Sequence, residues 1–139
     1  MKLSTKITVC VLAALGLSWG LGCGLSPGDR PELGLVRGIV TMDDKPLPAV
    51  TVIFSPQQGR SSMAVTDESG RYELRYLWNT TGAKLGRHTI SVSTISDDDF
   101  SAGGTAVRET IPEKYNTKST LTADVQAGEN LIDITLVSN

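Results

Sequence analysis

The sequence has one histidine, two cysteines and no clustered basic face, and each scarcity excludes a class of protein. A single histidine cannot form a zinc triad. The glycine patterns of serine hydrolases, P-loop proteins and dinucleotide-binding proteins are also missing. Without a basic patch, nucleic-acid binding is not expected. We therefore expect no catalytic residues, metal site or cofactor that standard motifs would identify.

The sequence also lacks an apolar run long enough to cross a bilayer. Its longest, Ile7 to Leu17, has 11 residues, whereas a membrane-spanning helix needs roughly 20. Lys2 and Lys6 precede this run and small residues follow it, which is the order of an export signal. We predict that residues 1–22 are a signal peptide, whose removal from the 139 residues leaves 117.

Cys23 stands at the boundary of this signal, after Gly20-Leu21-Gly22. Leu-Gly-Cys after an apolar run resembles the lipobox of bacterial lipoproteins, in which the cysteine is acylated and becomes the first residue. The resemblance implies a lipid on Cys23, a membrane as partner and a location in the cell envelope. Gly24 in the next position favours the outer membrane. The alternative is an ordinary secretory signal that leaves Cys23 as a thiol; the other cysteine, Cys10, lies within the signal, so it offers no disulfide partner.

The mature chain divides into a flexible tether, residues 23–34, and a domain of residues 35–139. Short runs rich in β-branched residues alternate with turn residues in the domain, and amphipathic helices of ten residues are absent. This pattern predicts an all-β fold, a seven-stranded antiparallel β-sandwich. The predicted strands are Leu35–Met42, Val50–Ser55, Ser62–Thr66, Arg71–Tyr76, Arg87–Ile95, Leu121–Val125 and Leu131–Val137.

Alternation along these strands predicts which side chains form the core, because successive side chains of a strand point to opposite faces. The expected inward residues are Val50, Val52, Phe54, Tyr72, Leu74, Tyr76, Ile90, Val92, Leu121, Ala123, Val125, Ile132, Ile134 and Leu136.

Three stretches, "VRGIVTMDDKPLPAVTVIFSP", "AVTDESGRYEL" and "LGRHTISVST", together resemble the transthyretin-like or carboxypeptidase-regulatory-like domain. The stretch "IPEKYNTKSTLTADVQAGENLIDITL" is similar to the closing segment of small planctomycete-type lipoproteins with such a domain. The resemblance implies a fold rather than an activity. Hydrolases of this family use several histidines and a C-terminal Tyr-Arg-Gly-Ser, whereas this chain has only His88, expected to be partly exposed, and ends differently.

Asp67, Gly70, Tyr72 and Tyr115 are predicted to have structural roles. Asp67 to Gly70 should form a turn, since aspartate bonds nearby backbone and glycine accepts a positive φ, and this turn leads into Tyr72. Tyr115 should pack over the end of the sandwich with its hydroxyl hydrogen-bonded. The alternative makes Tyr115 an exposed platform for a ligand.

The segment from Ser96 to Thr110 is the longest connection in the domain, and long loops are often functional or disordered. Asp97, Asp98, Asp99 and Phe100 within it are candidates for contact with a partner, such as an envelope protein or polysaccharide. Calcium binding by the three aspartates is a second hypothesis. A solvated connector, with Phe100 folded back over the core edge, is the third.

These observations favour a lipid-anchored cell-envelope module that binds a ligand or serves a structural role without catalysis. The alternative is an envelope hydrolase with a catalytic set that the sequence does not reveal. A rigid sandwich that holds loops suits binding and needs no special chemistry.

Overall fold

The structure is a computed structural model that describes residues 31–94 and 108–139. Within these ranges every regular element is a β-strand, apart from one 3-10 helix, Glu113–Tyr115. The described part of the chain has no helix of sufficient length and hydrophobicity to cross a membrane. The predicted all-β class is confirmed there. The strands are β1 (Leu33–Met42), β2 (Lys45–Pro46), β3 (Thr51–Pro56), β4 (Ser62–Val65), β5 (Arg71–Glu73), β6 (Arg75–Leu77), β7 (Thr80–Thr81), β8 (Ala83–Lys84), β9 (Gly86–Ser93), β10 (Thr122–Val125), β11 (Gly128–Leu131) and β12 (Ile134–Leu136).

The strands form two six-stranded sheets. The first is organised around β1, which pairs with β2, β5 and β8 in antiparallel orientation. The second has the order β10-β9-β3-β4-β6-β7, and its pairs are antiparallel. Side chains from both sheets meet in one hydrophobic core. This arrangement fits a β-sandwich.

The first sheet contains a feature that an antiparallel sandwich would not have. The last two strands run parallel to β1, with Gly34 opposite Gly128 and Val40 opposite Ile134. Parallel neighbours cannot be joined by a tight turn, and all strands of the second sheet lie between β1 and β11 in the chain. Alternation shows which side chains face inward but not the direction of the neighbouring strand, so the sequence did not reveal this pairing.

The predicted strand Arg71–Tyr76 is divided between the two sheets. β5 pairs with β1, whereas β6 pairs with β4 and β7. Leu74 lies at the crossing: its N–H donates to the carbonyl of Val36 at 2.9 Å, and its own carbonyl accepts from the N–H of Gly82 at 2.7 Å. The predicted strand Leu131–Val137 is likewise replaced by β11 and β12, and β1 begins at Leu33 rather than Leu35.

The predicted core positions are largely confirmed. Leu121, Ala123 and Ile132 are half-buried and pack against its margin. Tyr76 is half-buried but lies outside this core. The fully buried members include Val50, Val52, Phe54, Tyr72, Leu74, Ile90, Val92, Val125, Ile134 and Leu136, together with Val36 and Val40 of β1.

The turn before β5 has the predicted construction. One carboxylate oxygen of Asp67 accepts hydrogen bonds from the N–H of Ser69 at 2.8 Å and of Arg71 at 2.9 Å. Gly70 has a φ of +74°, and a Cβ there would lie 2.6 Å from the carbonyl oxygen of Val40. The turn therefore requires glycine for two reasons: its conformation and its close approach to β1.

Two tyrosines link the C-terminal segment to the core through their hydroxyls. The hydroxyl of Tyr72 donates to the carbonyl of Ile132. Burial, with a smaller contribution from the charge of Asp133, raises the pKa of Tyr72. Tyr115 is buried, and its hydroxyl accepts from the N–H of Val137 at 3.1 Å. Its placement matches the predicted packing role and not that of an exposed platform.

Candidate functional site

Several residues singled out from the sequence lie outside the described ranges. They are Cys23, Asp97, Asp98, Asp99 and Phe100. Lipid attachment, partner contact and calcium binding at these residues therefore stay predictions. Among the residues that the structure describes, no three or more His, Cys, Asp or Glu side chains are placed together to hold a metal ion.

Glu109 connects the residues on either side of positions 95–107, which the structure does not describe. One of its carboxylate oxygens accepts from the N–H of Thr94 at 3.1 Å, from the hydroxyl of Thr94 at 2.7 Å and from the N–H of Ile111 at 2.8 Å. The hydroxyl of Ser93 donates to the other oxygen. Desolvation opposes ionisation, but the hydrogen bonds from Ser93, Ile111 and Thr94 outweigh it and hold the pKa of Glu109 below its usual 4.5. The ionised carboxylate thus connects Glu109 to Ser93 and Thr94, at the end of β9 in the second sheet.

A surface groove with a volume of about 860 Å³ lies where the second sheet meets β5 and β1. We call it the arginine groove. It is lined by Arg37, Thr51, Ile53, Arg60, Ser61, Met63, Ala64, Val65, Asp67, Arg71, Tyr72, Glu73, Arg75, Tyr76, Leu77 and Trp78.

Strand alternation explains how the lining residues come together. Met63 and Val65 of β4 alternate with inward-facing neighbours, so they project from the opposite face of the sheet. Met63 lies opposite Ile53 of β3 and opposite Arg75 of β6. Because β5 and β6 follow each other across the junction of the two sheets, the outward side chains of both strands reach the same groove.

Four arginines line the groove, and three of them have no partner among residues 31–94 and 108–139. Arg37 forms an ion pair with Glu129, which lies outside the groove. The guanidinium groups of Arg60, Arg71 and Arg75 form no ion pair or hydrogen bond within the described residues. An arginine fork without a protein partner remains available for a carboxylate or phosphate from elsewhere.

The lining of the groove carries more cations than anions. Four arginines face two acidic side chains, Asp67 and Glu73, and one of the arginines, Arg37, is paired with Glu129. The carboxylate of Asp67 accepts hydrogen bonds from the backbone N–H groups of its turn and keeps its charge. The groove therefore has a small excess of positive charge on a chain whose net charge is −2.

Large apolar side chains are exposed beside the arginines. Trp78 is 85% exposed and Val65 is 62% exposed, and Met63 and Leu77 are also open to solvent. All four line the groove. Single exposed apolar residues are common on protein surfaces, but a cluster of them rimmed by charge is typical of a binding site.

The sequence patterns did not reveal this groove. Its residues belong to five strands, β1, β3, β4, β5 and β6, and to the segments between strands, and the junction that brings β5 and β6 beside β4 follows from the tertiary fold. One signal was present: Met63 and Val65 occupy the polar phase of an alternating strand, where a solvated face would carry polar side chains.

A second groove, of about 320 Å³, adjoins His88. The burial of His88 corrects a prediction. His88 is 1% exposed rather than partly exposed. It faces inward on β9, two residues before Ile90, and its ring lies 5.8 Å from that of Phe54. Its Nε2 bonds the carbonyl of Lys84 at 2.7 Å, whereas Nδ1 has no partner among the described residues. The ring fills the end of the core.

Comparisons with known proteins add no family. Neither a scan against models of protein families nor a search of curated proteins found a match to this chain. The resemblance to transthyretin-like domains therefore stays a prediction.

Proposed function

We propose that this protein is a lipid-anchored binding module of the cell envelope and that the arginine groove is its ligand site. The observation that carries the proposal is the set of unpaired guanidinium groups beside the exposed ring of Trp78. Neither feature stabilises the fold, because neither has a partner in the described residues. Both features suit recognition, since arginine and tryptophan contribute most of the binding energy at many interfaces.

The anchor in this proposal is a lipid on Cys23. Ten positions separate Cys23 from the start of β1 at Leu33. A fully extended chain spans at most about 3.3–3.6 Å per residue, so the domain would stay within roughly 35 Å of the bilayer. Two acyl chains are enough for stable attachment. Such a tether would present the groove to material close to the membrane.

We also propose that the two sheets form a sandwich of the transthyretin-like or carboxypeptidase-regulatory-like type. The support is the Asp67 to Gly70 turn, the inward Tyr72 that follows it, and the single core between two sheets. These features specify a scaffold and leave the ligand to the surface residues.

Lipid attachment is tested by a pair of cysteine variants. Cys23→Ser should move the protein from the detergent-extracted membrane fraction to the soluble envelope fraction. Cys10→Ser is the matched control, because it removes the other cysteine of the sequence and should leave the protein in the membrane fraction. Membrane association of the Cys23→Ser protein would contradict the anchor.

Binding at the groove is tested with isolated envelope fragments. The protein should co-sediment with them, and a groove variant that combines Arg60→Gln, Arg71→Gln and Arg75→Gln should not. The control variant combines Lys45→Gln, Arg87→Gln and Arg108→Gln. It removes the same charge at exposed residues outside the groove and should sediment normally. Equal sedimentation of both variants would reject the groove as the site.

An activity assay distinguishes the alternative function, an envelope hydrolase, from the proposed binding function. The purified protein is assayed against ester, peptide and glycoside substrates. Turnover that the near-isosteric His88→Gln variant abolishes, while thermal unfolding shows that the variant is folded, would replace the binding proposal by an enzymatic one.

A further inference from the structure

We infer that the arginine groove binds an acidic polysaccharide, through its carboxylated sugar residues and the apolar faces of its rings. The inference rests on the proposed binding function and names the class of ligand. It is carried by the spacing of the cations, the exposure of Trp78 and the pairing of the strands beneath the groove.

The cations come from separate parts of the groove wall. Arg71 and Arg75 lie on strands of different sheets, β5 and β6, four residues apart in the chain. At about 3.3 Å per residue of extended chain, their backbones are at most roughly 13 Å apart. Arg60 lies on another part of the wall, just before β4. Separated cations match a polymer with repeated anionic groups better than a single small anion.

Trp78 provides a surface for a sugar ring. It follows β6 directly, and 85% of its surface is exposed. The face of an aromatic ring carries partial negative charge, whereas the C–H groups on one face of a pyranose carry partial positive charge. Stacking of the two buries apolar area, and the exposed side chains of Val65 and Leu77 in the same groove extend this apolar surface.

The strands beneath the groove disfavour an extended peptide as the ligand. Peptides that add to a sheet need a free edge with unpaired N–H and C=O groups. β4 is paired with β3 on one side and with β6 on the other. β5 is paired with β1 on one side and has no second partner among the described strands. Strand addition is therefore excluded at β4, and recognition above it must use side chains, which suits a ligand that presents carboxylates and ring faces.

The test is a titration of the protein, purified from the envelope in detergent, with polygalacturonate. Of the two tryptophans of the sequence, Trp19 lies in the predicted signal peptide and Trp78 in the domain, and a Trp78→Phe variant confirms that the fluorescence comes from Trp78. We expect a saturable blue shift of that fluorescence. Poly-L-glutamate of equal charge, as an acidic polypeptide, and dextran, as a neutral polysaccharide, should bind at least about tenfold more weakly, since each lacks one of the two interactions.

Variants connect this binding to the named residues. The groove variant should bind polygalacturonate at least about tenfold more weakly, whereas the control variant should stay within about twofold of the parent, as expected for charges remote from the ligand. Trp78→Ala, whose binding is followed by isothermal titration calorimetry because it lacks the fluorescent ring, should bind about fivefold more weakly than the parent. Arg75→Lys preserves the charge and tests the guanidinium fork, so it should still weaken binding. Thermal unfolding of each variant shows that it is folded.

The outcomes separate this inference from the proposed function. If poly-L-glutamate binds as tightly as polygalacturonate, and the groove variant loses affinity for both equally, the ligand is not specifically a polysaccharide. The groove would then be a site for an acidic protein. Dextran binding equally well would overturn the role of the carboxylates. Suppose that polygalacturonate does not bind, but envelope fragments still sediment the parent and not the groove variant. That result would reject the polysaccharide inference and leave the proposed function in place.

Discussion

The end of the molecule that contains Tyr115 and the groove that contains Trp78 differ in how they use an aromatic side chain. Tyr115 is 9% exposed, and its hydroxyl accepts a hydrogen bond from the N–H of Val137. Trp78 is 85% exposed and contributes a ring to an open surface. Burying an aromatic ring stabilises the fold, whereas leaving one exposed contributes little to it.

The charged residues of the two regions differ in the same way. Glu109 accepts hydrogen bonds from Ser93, Thr94 and Ile111. The guanidinium groups of Arg60 and Arg75 in the groove have no such partners within the described residues. The polar groups that maintain the fold are therefore paired, whereas those of the groove remain available to a ligand. Stability should therefore depend on the first region, and binding on the second.

The largest effect should come from Tyr115→Ala. Removing a buried aromatic ring leaves a cavity, and we expect a loss of about 2–4 kcal/mol in the free energy of unfolding. Tyr115→Phe retains the ring and removes only the acceptor for Val137, so it should cost about 1 kcal/mol. Chemical denaturation measures both values. An unchanged melting temperature for Tyr115→Ala would show that the ring does not support the fold.

A smaller, pH-dependent effect should come from Glu109→Gln. The pKa of Glu109 is lowered in the folded protein, so the ionised carboxylate stabilises the fold above its unfolded pKa of about 4.5. That contribution is lost as the pH falls through the lower, folded value. At pH 7 the variant should be less stable by about 1 kcal/mol, and the two proteins should converge in acid.

The control for this measurement is Glu68→Gln. Glu68 is exposed and accepts no hydrogen bond among the described residues, so its replacement should not change the dependence of stability on pH. A constant difference between Glu109→Gln and the parent from pH 7 to pH 3 would contradict the role of the carboxylate charge.

The smallest effect on stability should come from Trp78→Ala. The exposed ring packs little of its surface against the fold, so the free energy of unfolding should change by less than about 0.5 kcal/mol. Acrylamide should quench the fluorescence of Trp78 efficiently, as expected for a ring open to solvent. A destabilisation comparable with that of Tyr115→Ala would remove the distinction between the two regions.

Particular residues show how far the sequence could be interpreted. Tyr115 was predicted to pack because a tyrosine in an otherwise polar segment needs burial for its ring and a partner for its hydroxyl. The turn from Asp67 to Gly70 was predictable from local chemistry. His88 was wrongly expected to be partly exposed, since a polar residue at the start of a strand usually lies near solvent. Its inward position follows from the alternation that also buries Ile90.

Local patterns in the sequence determined the all-β class, the Asp67 turn and most of the core, because alternation and turn chemistry act between neighbours in the chain. The tertiary structure decided three further features: the parallel pairing of β11 and β12 with β1, the division of residues 71–77 between two sheets, and the arginine groove that this division creates. Each brings together residues distant in the chain, and their contact depends on which strands become neighbours, a choice made by the packing of the whole core.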